Sequence, residues 1–121
     1  MVTWNNLDTL ASYKELQEAG KVQLAEAMSG ENGAERVKKY SVPMAEGLVY
    51  NYGAKQVDDN ILDILAKLAE EAQLTEKYEA LYNGEMINTG EKRLVLHQLT
   101  RGQLGDAVVA DGVDKRAFYV E

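Results

Sequence analysis

The chain has 121 residues, with 20 acidic against 13 basic side chains, a net charge of −7 and no cysteine. The length fits one domain with a real core. The acidic balance argues against nucleic acid and against an anionic membrane as partners, and the absence of thiols excludes disulfides, thiolate nucleophiles and cysteine–metal sites.

The first ten residues, "MVTWNNLDTL", have no basic or apolar block, so no signal peptide is expected. No apolar run is long enough to cross a bilayer. From Asn5 or Asn6, which can cap, a helix is expected with a partial stripe of Leu7, Leu10, Tyr13 or Lys14, and Leu16 or Gln17, to a break at Gly20. Val22, Leu24, Ala25 and Met28 then make a second short helical stretch of a turn or two, and Ser29-Gly30 is a stop.

Strand-favouring residues then cluster: Val37, Tyr40, Val42, Leu48, Val49, Tyr50 and Tyr52. They predict an antiparallel hairpin over residues 37–44 and 47–53, turning at "AEG" with Gly47 at positive φ. Pro43 confines its strand to an edge. "VDDNILDILAKLAEEAQ" is the clearest helix, capped by Asp58 or Asp59. Its Ile61, Ile64, Leu65, Leu68 and Ala72 form the apolar stripe, and Asp63–Lys67 and Lys67–Glu71 are expected as i,i+4 pairs.

"LTEKYEALYNGEMIN" predicts another helix, capped by Thr75, with Tyr78, Leu81 and Tyr82 inward and Asn83-Gly84 as its end. "TGEKRLVLHQLTRG" reads as a further helix from Thr89 to a stop at Gly102. On such a helix Arg93, His97 and Arg101 are four apart and share one stripe. That stripe must meet carboxylates, carbonyls or an anion. The structural account pairs the arginines with Glu85 or Glu91 and His97 with a backbone carbonyl; Arg93 is expected bonded within the chain and Arg101 freer. Ala107–Ala110 reads as extended, Asp111-Gly112 as a turn, and "RAFYVE" as strand-like. The fold class is thus mainly α with a small antiparallel β-hairpin (α+β), four or five helices in a single domain over residues 1–121.

No nucleophile elbow, P-loop, dinucleotide fingerprint or His-rich metal motif occurs. The lone histidine makes no metal set, so no metal site is expected.

The stretch "NGEMINTGEKRLVLHQLTR" resembles the N-terminal region of the phosphoglucose isomerase (glucose-6-phosphate isomerase) family, which carries N/S-G-E-x-I-N-x-T-E-x-R-A-V-L-H-x-A-L-R. Asn83, Gly84, Glu85, Ile87, Asn88, Glu91, Arg93, Val95, Leu96, His97 and Arg101 match it without a gap. "VYNYGAKQVDDNILDILAKLAEE" and "VVADGVD" are similar to further family segments, so the resemblance spans roughly residues 7 to 114. Gly90, Leu94, Leu99, Thr100 and Asn51 depart from it.

The resemblance implies an N-terminal segment of a larger α/β sugar-isomerase fold, in a cytoplasmic enzyme of glycolysis and gluconeogenesis. That enzyme interconverts glucose 6-phosphate and fructose 6-phosphate through a cis-enediol, with no metal or organic cofactor, and is a homodimer. None of the family's catalytic motifs is matched here. The chain alone is expected to be inactive, its partners being the remaining domains and, in the parent enzyme, the sugar phosphate. Glu85, Asn88, Glu91, Arg93, His97 and Arg101 are then a supporting motif, with no catalytic residue among them. An autonomous acidic helical interaction module without enzymatic activity is the alternative.

Overall fold

The computed structural model of the chain describes residues 1–101 and 105–120. Gly102, expected as a helix stop, lies outside the described residues, as does Glu121. The chain divides into two compact units, one of Asp8–Leu68 and one of Met1–Leu7 with Ala69–Glu121.

In the first unit, α1 (Ala11–Glu18) follows a 3-10 turn at Leu7–Thr9, so Leu10 rather than Asn5 or Asn6 occupies its cap position. The helix ends just before Gly20, as its sequence predicts. Helix α2 (Leu24–Ala27) stops at Ser29-Gly30, and α3 (Gly30–Lys39) begins at once. The sharp junction depends on Gly33, because a Cβ there would fall 2.4 Å from the Met28 carbonyl oxygen.

Val37, expected at the start of a strand, belongs to α3. Two features hold the helix there. Arg36, Lys38 and Lys39 fill its last turn, where cations complement the helix dipole. Arg36 is also clamped, with Nε donating to the Gly53 carbonyl at 2.7 Å and Nη2 to the carbonyls of Lys55 and Val57 at 2.8 and 2.6 Å.

The hairpin is correspondingly shorter than its sequence predicts: β1 (Ser41–Pro43) pairs antiparallel with β2 (Val49–Asn51), Val42 opposite Tyr50. It turns through Ala45–Gly47, with Glu46 at φ 57° and the expected Gly47 at φ 73°. Helix α4 (Asp59–Glu71) is capped by Asp58, whose Oδ1 accepts the Ile61 N–H at 2.8 Å. Ile61 and Ile64 are buried, but Leu65 is 37% exposed, which corrects the expected stripe. One residue advances a helix by about 100°, so Leu65 turns away from Ile64 toward the space beside the hairpin. Lys67 pairs with Glu15 of α1 at 3.3 Å.

In the second unit the N-terminal strip is tied to the residue before α5: the Thr3 N–H donates to Gln73 Oε1 at 2.7 Å, and Lys77 lies over the Trp4 ring. Helix α5 (Leu74–Tyr82) takes Gln73, at φ 53°, as its cap residue instead of Thr75. Tyr78 is not inward but 63% exposed, stacked on Tyr82. Strands β3 (Val109–Ala110) and β4 (Val113–Asp114) form a second hairpin. Asp111 and Gly112 both take positive φ there, as a tight two-residue hairpin turn demands.

The segment expected to be strand-like after Asp114 is instead α6 (Lys115–Val120). The cause is visible locally: Asp114 Oδ1 accepts the Arg116 N–H at 3.0 Å, a helix N-cap bond. Among the described residues there are six α-helices, more than the four or five expected, and two small hairpins.

Candidate functional site

The motif "NGEMINTGEKRLVLHQLTR" starts at the end of α5. Gly84, at φ 73°, follows the Asn83 cap. The Gly84 N–H donates to the Leu81 carbonyl at 3.1 Å and the Glu85 N–H to that of Ala80 at 2.9 Å. These paired bonds satisfy the carbonyls that a helix end leaves open.

The next residues do not form the expected helix. Asn88 and Arg93 close an antiparallel bridge, with the Arg93 N–H donating to the Asn88 carbonyl at 3.3 Å. Between them, Asn88 Oδ1 accepts the Glu91 N–H at 3.1 Å, Asn88 Nδ2 reaches Glu91 Oε2 at 3.2 Å, and Lys92 takes φ 53°. An asparagine side chain bonded to the backbone three residues on offers the chain a turn in place of a helix. Leu94, Val95 and Leu96 then run on without regular structure, all three half-buried. A helix would send these consecutive side chains in three directions.

His97–Arg101 is a short 3-10 helix, against which α6 packs. Leu99 is its anchor, fully buried. Thr100 Oγ1 donates to the His97 carbonyl at 2.8 Å, and Gln98 Nε2 to the Leu81 carbonyl at 2.6 Å.

The cationic stripe is therefore corrected. Arg93 sits in the bridge, and His97 and Arg101 at the two ends of the 3-10 helix, so no common helix carries them. All three are exposed. Neither guanidinium has a hydrogen-bond or ion-pair partner among the described residues, contrary to the internal bond expected for Arg93. The structure does join Asn88 with Glu91; Glu85 and Glu91 are exposed. His97 lines a small cavity of about 280 Å³ with Leu94, Leu96, Thr100 and Tyr119.

The arginine that organises this unit is Arg116, to which no sequence motif points. It is 4% exposed. Its Nε donates to the Asp106 carbonyl at 2.7 Å, its Nη2 to the Tyr82 carbonyl at 3.1 Å, and its guanidinium lies over the Tyr82 ring. The cap signature Asp114-Lys115-Arg116 would have revealed the helix but not the burial.

Among the described residues, no group of three or more His, Asp or Glu is placed to hold a metal ion. What the motif builds is a braced loop: a helix end, a bridged turn and a 3-10 helix seated by Leu99.

In this arrangement the charged side chains of the motif, Glu85, Glu91, Arg93, His97 and Arg101, are all exposed. Residues 51–118, more than half of the chain, match the family model for phosphoglucose isomerase. The chain belongs to the phosphoglucose isomerase family. It is 54% identical to a glucose-6-phosphate isomerase of Treponema denticola over 97% of this chain and 23% of that protein. It is 44% identical to that of Treponema pallidum over 99% of this chain and 23% of that protein. For Borrelia garinii subsp. bavariensis the figures are 39%, 98% and 22%. The chain thus spans less than a quarter of the length of these relatives.

Proposed function

We propose that this chain serves as the N-terminal segment of a glucose-6-phosphate isomerase, which interconverts glucose 6-phosphate and fructose 6-phosphate in the cytoplasm. The observation that carries this reading is the 54% identity to the Treponema denticola isomerase across 97% of the chain. The same end-to-end match favours it over an autonomous interaction module.

The segment supplies scaffold, and the remaining domains supply the acid–base groups that aldose–ketose isomerisation requires. Its partners are those domains and, in the whole homodimeric enzyme, an anionic sugar phosphate. The exposed Arg93 and Arg101, without an ion-pair partner among the described residues, add positive potential on the motif surface of a chain with net charge −7.

A chimaera tests the reading. This chain replaces the aligned part of the Treponema denticola isomerase, and fructose 6-phosphate turnover is followed with a coupled dehydrogenase. Turnover by the chimaera and none by the 121-residue chain is the expected result. A cooperatively folded chimaera without activity, or turnover by the chain alone, refutes it.

A further inference from the structure

The β1–β2 hairpin of the first unit presents a graded apolar face. Residues two apart in a strand share a face, so Tyr40, Val42 and Met44 look the same way, as do the cross-strand Tyr50 and Tyr52. Tyr40 is 5% exposed and lies 5.3 Å from Tyr52, ring to ring. Tyr52 is half-buried and stacks on Tyr50, which is 50% exposed. Val42 and Met44 are 46% and 56% exposed. One end of the face is covered and the other is bare.

The bare end lines an open groove of about 640 Å³ together with Leu62 and Leu65 of α4. Lys55 is the charged residue that lines it. A contiguous exposed apolar surface is of the kind that packing or binding covers, and a two-stranded hairpin is marginal in water without packing on its face.

We infer that this groove is the seat for an apolar segment of the same polypeptide, contributed by the part of the isomerase fold that the relatives carry beyond the region matched here. The identity of the occupant rests on the isomerase reading; the groove itself does not. More than three-quarters of each relative's length lies outside the match, which supplies ample covalently tethered chain to cover it. A second copy is disfavoured by the repulsion of two chains of net charge −7. Pro43 has no N–H to extend the β1 edge, so the occupant packs on the face instead of adding a strand there. An acceptor on that segment meets Lys55.

Hydroxyl-radical footprinting tests the inference, because methionine and tyrosine are themselves the reporters. Modification of Met44 and Tyr50 is compared, peptide by peptide, in the 121-residue chain and in the folded chimaera. Covering these half-exposed side chains should slow their modification in the chimaera relative to the isolated chain. Met44→Asp should leave the melting temperature of the isolated chain unchanged and lower that of the chimaera.

Protection without isomerase activity upholds the docking and sinks the isomerase reading. Activity without protection sinks the docking and leaves that reading standing. Concentration-dependent protection in the isolated chain, with dimers in sedimentation, overturns the inference in favour of a second copy. If the chimaera does not fold, the aligned hairpin peptide of the intact Treponema denticola enzyme gives the decisive footprint: protected supports the docking, exposed overturns it.

Discussion

Gly84 lies directly against Val108: a Cβ added to Gly84 would fall 2.2 Å from Val108 Cγ1. The contact brings the end of α5 onto the residue that precedes β3, and Val108 is 3% exposed. The glycine is required twice over, since its φ of 73° is also a conformation that side chains resist.

Gly84→Ala should therefore destabilise the chain by roughly 2–4 kcal/mol, combining a strained left-handed residue with an overpacked contact. Urea denaturation followed by circular dichroism reads this directly. A loss below about 0.5 kcal/mol, the range of an ordinary surface substitution, would mean that Val108 does not bear on Gly84.

Arg116 carries the second prediction. Its guanidinium satisfies the carbonyls of Asp106 and Tyr82 from a buried position. Lysine cannot present two donors in that planar fork. Arg116→Lys should cost about 1–3 kcal/mol, the range for leaving buried polar groups unsatisfied, and Arg116→Ala more, since it also empties the space over the Tyr82 ring. By contrast, Arg93→Ala and Arg101→Ala should leave the urea midpoint nearly unchanged. An equal loss at all three positions would contradict the distinction between the buried arginine and the exposed ones.

The third prediction separates neighbours on α4. Ile64→Ala should cost about 2–5 kcal/mol as a buried large-to-small change. Leu65→Ala, at a side chain 37% exposed beside an open groove, should cost less than about 1 kcal/mol in this chain, because the exposed part loses no burial. Reversal of that order in thermal melts would show that the core lies on the Leu65 side.

Which elements the sequence revealed follows from how local their causes are. The Asp58 cap, the Gly47 turn, the Asn83-Gly84 helix end and the Asp111-Gly112 hairpin each depend on residues within a few positions, and each is observed. Other stretches fold against their local pattern. In "NTGEKR" the Asn88 side chain captured the backbone, so a helical spacing of Arg93, His97 and Arg101 formed no helix. In "RVKKY" and "RAFYV" strand-favouring residues lie in helices held by Arg36 and Arg116, whose carbonyl partners are 10 to 34 residues away. Contacts that distant leave no periodic trace. The family motif was legible as a string, yet its side-chain geometry had to come from the fold.

The last prediction concerns pH. Asp59, at the start of α4, accepts from Lys39 Nζ at 2.5 Å and from the Tyr40 hydroxyl at 3.0 Å. These two bonds, Lys39's first, lower the Asp59 pKa from its ordinary 3.8. The stability they add is complete above 3.8 and disappears as pH falls through the lower folded-state value. At the alkaline end the signs reverse. The bond to Asp59 raises Lys39 above 10.5, and burial followed by the same carboxylate raises Tyr40 above 10.0. Their contributions are complete below those values and are lost as pH rises through the raised ones. Asp59→Asn should lower the urea midpoint at pH 7 and converge with the parent chain as the pH drops below 3.8. It should also flatten the alkaline decline in part, because burial of Tyr40 persists without the carboxylate. Urea titrations of both proteins across the acid and alkaline limbs measure it. A difference between them that stays constant through the acid limb would show that Asp59 is not held as the paired carboxylate that anchors the covered end of the hairpin.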